Sequence, residues 1–255
     1  MRWCASFAIG TVLVLGSVAA CGADDDAGTP DRPRLVVFAA ASMTEPLRSC
    51  SRRFEDAEVR LSLGGSDRLA AQMRQGVEPD VYAAADTGLP EALNREGLLE
   101  RPVRFATNEL AVAVPRDSPV RSIEQLARAD ASLAVGSRSV PIGVHARRLF
   151  ERLPGRLGDA LLGKVRSEEP DVRGVVGKLT QGGVDAGVVY RTDVLGAGGR
   201  LRAIRLPPGA GRPVVYAAGA GSGARQPHHA RAYVRGLARG GCGRALRAAG
   251  FGAPP

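Results

Sequence analysis

From Leu35 to Tyr190 the chain alternates short apolar runs with amphipathic stretches of helical spacing. The runs are "LVVFAA", "VRLSL", "DVYAAA", "ELAVAVP", "SLAVG" and "VDAGVVY", with a short strand expected around Val165 and a late one at "RPVVYAAG". Between them, helices are predicted over Met43–Glu55, Arg68–Gln75, Pro90–Arg95, Ile123–Ala129, Gly143–Leu153 and Val172–Leu179, with terminal ones over His228–Arg239 and Arg244–Ala249. Strands that alternate with helices of about ten residues pair in parallel, because each helix carries the chain back across the sheet with right-handed crossover. This pattern limits the chain to an α/β architecture. No repeat of 20–50 residues is present, which excludes a solenoid.

At 255 residues the chain can form one large domain or two lobes. Its first 20 residues hold Arg2, an apolar stretch from Phe7 to Leu15 and then "SVAAC", the pattern of an export signal over residues 1–20. "VAAC" resembles a lipobox, which would make Cys21 a lipidated first residue. The alternative is an ordinary export signal with a coincidental cysteine. Residues 21–33 then read as an acidic, Pro/Gly-rich tether. These features predict an exported protein held by lipid at the outer face of the cytoplasmic membrane. Two cysteines, Cys50 and Cys242, remain for the folded part, and outside the cytoplasm an even pair invites a disulfide. Spacing alone does not establish that their Cα atoms come within reach.

Lys and Arg number 35 against 26 Asp and Glu, and only Lys164 and Lys178 are lysine. The arginines are scattered, aromatics make up 4%, and no basic run alternates with stacking residues, so a nucleic-acid partner is not expected. Two motif matches fail on context. "GDALLGKV" places Val165 where a magnesium-binding Ser or Thr must stand, and "GAGSGA" at Gly219–Ala224 has no acidic residue downstream to hold a ribose. The histidines, His145, His228 and His229, lack metal-ligand spacing, and no G-x-S-x-G elbow occurs. A secreted hydrolase using Ser42 or Ser66 remains the alternative from another class, with no base placed by any motif.

One device does recur: a strand end, a short loop and a helix start. "ASMTE" at Ser42 is an S-x-x-E capping box followed by Pro46 in the first turn. "GGSD" starts a helix at Ser66, "SVPIG" starts one near Ile142, and "EPDV" starts one at Val172 with Asp171 as its N-cap. Helix N-termini present unpaired N–H groups and the positive end of the dipole. Four of them, two in each half, form a candidate cage for an anion.

The motifs "VFAAASMTEPL", "GGSDRLAAQMRQGVEPDVYAAAD", "NELAVAVP", "VPIGVHARRLF", "DVRGVVGKLTQGGVDAGVVYRTDV" and "ALRAAGF" run in order from Leu35 to Phe251. In that order they resemble the extracytoplasmic molybdate-binding proteins of ABC importers, a type II periplasmic-binding-protein family. The resemblance implies two α/β lobes, each a mixed sheet flanked by helices and joined by two hinge crossings. Lobe 1 would comprise residues 34–111 and 214–255, and lobe 2 residues 112–213. It also implies a monomer that binds molybdate or tungstate without a cofactor and hands it to permease subunits, the metal entering only as its oxyanion. Carried over by position, Ser42 and Ser66 supply hydroxyls and amides, Ile142 and Val172 main-chain N–H groups, and Tyr190 a phenol. On this reading Ser42 is cap and ligand at once, and Glu45 keeps a structural role. Another tetrahedral oxyanion such as sulfate is the alternative within the class. Asp67 departs from the pattern, since an acid beside an anion site repels the ligand unless it points outward along its helix.

Overall fold

The computed structural model describes residues 32–255; the export signal, Cys21 and most of the tether lie outside the described residues. Two five-stranded sheets form the body. In the first, β1 (Arg34–Ala40) runs parallel to β2 (Glu58–Gly64) and β3 (Val81–Ala84), and β4 (Val103–Asn108) forms the far edge. In the second, β5 (Leu110–Pro115) lies antiparallel to β8 (Ala186–Tyr190) and to β9 (Leu201–Ile204), while β6 (Leu133–Gly136) is parallel to β7 (Val165–Glu169) and β8. The last strand, β10 (Val214–Ala220), returns to the first sheet and fits antiparallel between β3 and β4. The strand orders are β2-β1-β3-β10-β4 and β7-β6-β8-β5-β9, so each sheet contains one antiparallel strand that enters straight from the other. The fold is therefore the two-lobed, mixed-sheet α/β architecture expected.

Helices flank both sheets. Those of the first are α1 (Thr44–Ser51), α2 (Ser66–Arg74), α3 (Gly88–Arg95), α9 (Pro227–Arg239) and α10 (Gly241–Ala248). Those following strands of the second are α4 (Ile123–Arg128), α5 (Pro141–Glu151), α6 (Leu157–Leu162), α7 (Val172–Thr180) and α8 (Arg191–Gly196). The central strands are closed on both faces: every residue of β3, β6 and β8 is buried. Such double burial explains their unbroken apolar sequences.

The chain crosses between sheets at Glu109 and again between Ile204 and Val214. Leu110 and Ala111, assigned to the first lobe on sequence, pair instead with Tyr190 and Val189 in the second sheet. Cys50 of α1 and Cys242 of α10 are joined in a disulfide, with their Cα atoms 4.9 Å apart.

The first helix begins later than the capping-box reading required. Ala41–Met43 is a single 3-10 turn, and α1 starts at Thr44 with no side-chain cap. Pro46 supplies the reason. Were Ser42 the N-cap, Pro46 would occupy the first position whose N–H must bond back, to the Ser42 carbonyl, and proline has none. Starting at Thr44 moves Pro46 to the third position, where the missing N–H is one the helix leaves unpaired anyway. Glu45 is exposed and lies 3.8 Å from Arg48 and 3.6 Å from Arg173, contacts of little energetic weight at this exposure.

Candidate functional site

Strand register decides which loops meet. In the first sheet Ala40 stands opposite Gly64, so the 3-10 turn carrying Ser42 and the start of α2 carrying Ser66 leave the sheet at one level. In the second, Gly136 stands opposite Glu169, which brings the loops leading to Ile142 and Val172 together in the same way. Both pairs lie at the carboxyl ends of parallel strands, where open α/β sheets place their ligand crevices. The result is one narrow cleft lined by Ser42, Ser66, Ile142, Val172 and Tyr190 among others. All five residues singled out in the sequence face this single space.

The lining contains no Lys or Arg; its one ionisable carboxylate is Asp171. Asp171 is committed elsewhere, accepting a hydrogen bond from Gly174 N at 3.1 Å as the N-cap of α7. What the cleft offers is a set of first-turn N–H groups at α2, α5 and α7, together with hydroxyls. Such a set suits an anion held by dipoles and hydrogen bonds rather than by ion pairing.

Each hydroxyl has a definite setting. Ser66 is 1% exposed, and its Oγ accepts from Ala85 N at 3.2 Å while its carbonyl accepts from the Tyr82 phenol at 2.8 Å. With its lone pair so engaged, the Ser66 proton is free to point elsewhere. Ser42 Oγ lies 3.0 Å from the phenol oxygen of Tyr216. Tyr190 ends β8; the residue is 1% exposed, yet among the described residues its OH makes no hydrogen bond of good geometry. Burial pushes the Tyr190 phenol well above its ordinary range, so it remains a neutral donor. A buried hydroxyl without a partner is costly unless something completes it. Neither Ser42 nor Ser66 is hydrogen-bonded to a histidine among the described residues, so neither has the adjacent base that an activated nucleophile needs.

Two glycines permit the close approach. A Cβ on Gly143 would fall 1.8 Å from Ser137 O, so only glycine lets α5 sit against the end of β6 and aim its N-terminus into the cleft. A Cβ on Gly65 would fall 2.5 Å from Pro170 O and 3.3 Å from Val140 Cγ2, both on the opposite side of the cleft. Asp67 does not line the cleft, but it does not extend clear into solvent either: its Oδ1 is buried with no partner, close beside Gly65. The residues that sequence reading missed are Tyr216, which is hydrogen-bonded to Ser42, Asn108, which reaches the Tyr216 oxygen, and Thr192, which accepts from Asn108. Tyr216 sits within an apolar run and reads there as ordinary core.

A family profile described as bacterial extracellular solute-binding protein matches residues 35–252. The chain belongs to that family. It is 32% identical over 267 residues, covering all of both chains, to the molybdate-binding protein ModA of Mycobacterium tuberculosis. The ModA of Escherichia coli is 25% identical over 199 residues, spanning 73% of this chain and 76% of that one. Among solved structures, the periplasmic molybdate-binding protein of Azotobacter vinelandii superposes with a TM-score of 0.76 at 19% identity, covering 87% of this chain and all of that one. The sulfate-binding protein SubI of M. tuberculosis superposes with a TM-score of 0.74 at 15% identity, covering 86% of each. Fold similarity alone thus does not separate the two oxyanions. No helix among the described residues is long and apolar enough to cross a membrane.

Proposed function

We propose that this solute-binding protein captures molybdate or tungstate between its lobes and delivers it to the permease of an ABC importer. The observation that carries the reading is the convergence of Ser42, Ser66, Ile142, Val172 and Tyr190 on one cleft that contains no cationic side chain. The full-length similarity to proteins named for molybdate binding supports the choice of ion. Ser42, Ser66 and Tyr190 act as hydroxyl donors, while Ile142 and Val172 donate main-chain N–H groups. Uncharged donors suit a carrier, since a ligand held without ion pairs is released once the lobes part and the donors of one half are withdrawn. The protein works as a monomer, exported and anchored through a lipid on Cys21, with residues 21–33 as its tether.

Purified protein should be melted with millimolar molybdate, tungstate, sulfate or phosphate. A ligand at 100 times its Kd stabilises by about 2.7 kcal/mol, so molybdate and tungstate should each raise the Tm clearly. No shift with either would overturn the reading. A shift with sulfate alone would establish the sulfate alternative instead.

A further inference from the structure

We propose that Asn108 and Tyr216 are positioning residues for oxyanion capture, forming a relay at the hinge that fixes the Ser42 hydroxyl as a donor toward the cleft. The inference rests on the binding function just proposed, and it concerns which way one proton points.

A serine hydroxyl has a single proton to give. If Ser42 donates to Tyr216, it faces the ligand with lone pairs and repels an anion; if it accepts from Tyr216, its proton is free for the ligand. Either oxygen of this pair, 3.0 Å apart, can be the donor. The neighbours decide. Glu109, the crossing residue, donates its N–H to Asn108 Oδ1 at 2.9 Å, which marks that end of the amide as the acceptor. The other end is therefore the NH₂ group. It donates to Thr192 Oγ1 at 2.9 Å and faces the Tyr216 oxygen at 3.5 Å, a longer contact. With the Asn108 NH₂ on one side of its oxygen, Tyr216 is set to give its own proton to Ser42 Oγ, the hydroxyl 3.0 Å away. The Ser42 proton is then left for the cleft that Ser42 lines.

Each member is held in place. Asn108 is 3% exposed and Tyr216 fully buried, with the Tyr216 ring edge-on to Phe105, Tyr190 and Phe251 at 6.2, 6.0 and 5.4 Å. Burial also pushes the Tyr216 phenol well above its ordinary range, so it does not surrender its proton at neutral pH. The relay is tied to the lobes as well. Asn108 ends β4 in the first sheet, Thr192 belongs to α8 on the second, and Glu109 is the link between them. Separating the lobes stretches the bond from Asn108 to Thr192, so the orientation of the Ser42 donor is coupled to closure.

The test is a double-mutant cycle read by titration calorimetry with sodium molybdate and sodium tungstate. Tyr216→Phe keeps the ring and removes the oxygen. It should weaken binding about tenfold when Ser42 is present and less than twofold in a Ser42→Ala background, because the relay acts only through that hydroxyl. Should Tyr216→Phe fail to fold, Asn108→Ser carries the same cycle with the same expectation. Equal losses in both backgrounds would show a merely structural role and overturn the relay while leaving the binding function standing. Absence of wild-type binding to any oxyanion overturns both.

Discussion

Gly65 offers the sharpest test of how the cleft works. It is the N-cap of α2 with φ −62° and ψ 130°, backbone angles that alanine adopts without strain. Its methyl would meet Asp67 Oδ1 at 2.8 Å, the end of a side chain that can turn aside, so Gly65→Ala should cost the ligand-free fold no more than about 1 kcal/mol where the lobes are free to relax apart. The closed state is different. The new methyl would stand 2.5 Å from Pro170 O and 3.3 Å from Val140 Cγ2, both backed by the second sheet. Relief to ordinary contact requires roughly 1 Å of separation at this joint. A hydrogen bond lengthened by that amount is no longer one. Three of the five proposed ligand groups, Ile142 N, Val172 N and Tyr190 OH, come from the second half. Hydrogen bonds to charged groups contribute about 1.5–3 kcal/mol each. Losing one costs at least about tenfold in affinity, and losing all three costs at least about a thousandfold. Calorimetric titration with molybdate, beside melting of the ligand-free variant, measures both quantities. Full affinity in Gly65→Ala would mean that the ligand is not enclosed at this joint, and the closed cleft would have to be abandoned as the site.

Three further outcomes are expected. Ser42→Ala and Ser66→Ala should each weaken molybdate binding by at least about 1.5 kcal/mol; unchanged titration curves would put the site elsewhere. Ser66→Ala should also lower the ligand-free Tm, since the Ala85 N–H loses its acceptor. The disulfide closes a separation of 192 residues, and loop-closure entropy sets a ceiling of about 5 kcal/mol, with 2–4 more usual. Replacing both cysteines by alanine should lower the Tm by about 5–15 °C, and an unchanged Tm would contradict that account. Burial pushes the Asp193 carboxyl up to about 7, opposed by the Tyr190 N–H that it accepts. The folded state then keeps a proton that the unfolded chain releases near 3.8, so stability falls as pH rises from about 4 to 7 and levels above. Asp193→Asn should raise the Tm at about pH 8 and reduce this slope without abolishing it, because burial also raises Asp86, to about 6. Melting of ligand-free protein across that range decides it; an unaltered slope would assign the titration to other groups.

What could be read in advance follows from how local each signal is. The starts of α5 and α7 were legible because Pro141 and Asp171 mark them within a few residues, and Asp171 caps as expected. The central strands announced themselves through double burial. β4, "VRFATN", gave no such signal: only Phe105, Ala106 and Asn108 are buried, and the strand owes its order to pairing with β10, more than a hundred residues later. β9 was missed for a related reason, being four residues long and ordered by β5. At Ser42 the local pattern misled, because the S-x-x-E signature outweighed a proline whose missing N–H rules out that helix start. Tyr216 and Asn108 were invisible for a deeper reason. Their importance lies in which hydrogen atom faces which lone pair, and only the meeting of two crossings at the hinge determines that.

The insertion of β10 between β3 and β4 has a consequence for a chain that emerges from its N-terminus. The second sheet is encoded without interruption from Leu110 to Ile204 and can assemble as soon as that stretch is available. The first lacks an interior member until residues 214–220 arrive, and its two ends are not fastened together until Cys242 reaches Cys50. The portion that begins the molecule is thus the last to be completed. During synthesis and export, β3 and β4 keep open inner edges while the hundred or so residues between β4 and β10 are made, which makes this the interval in which the protein is most exposed to mispairing.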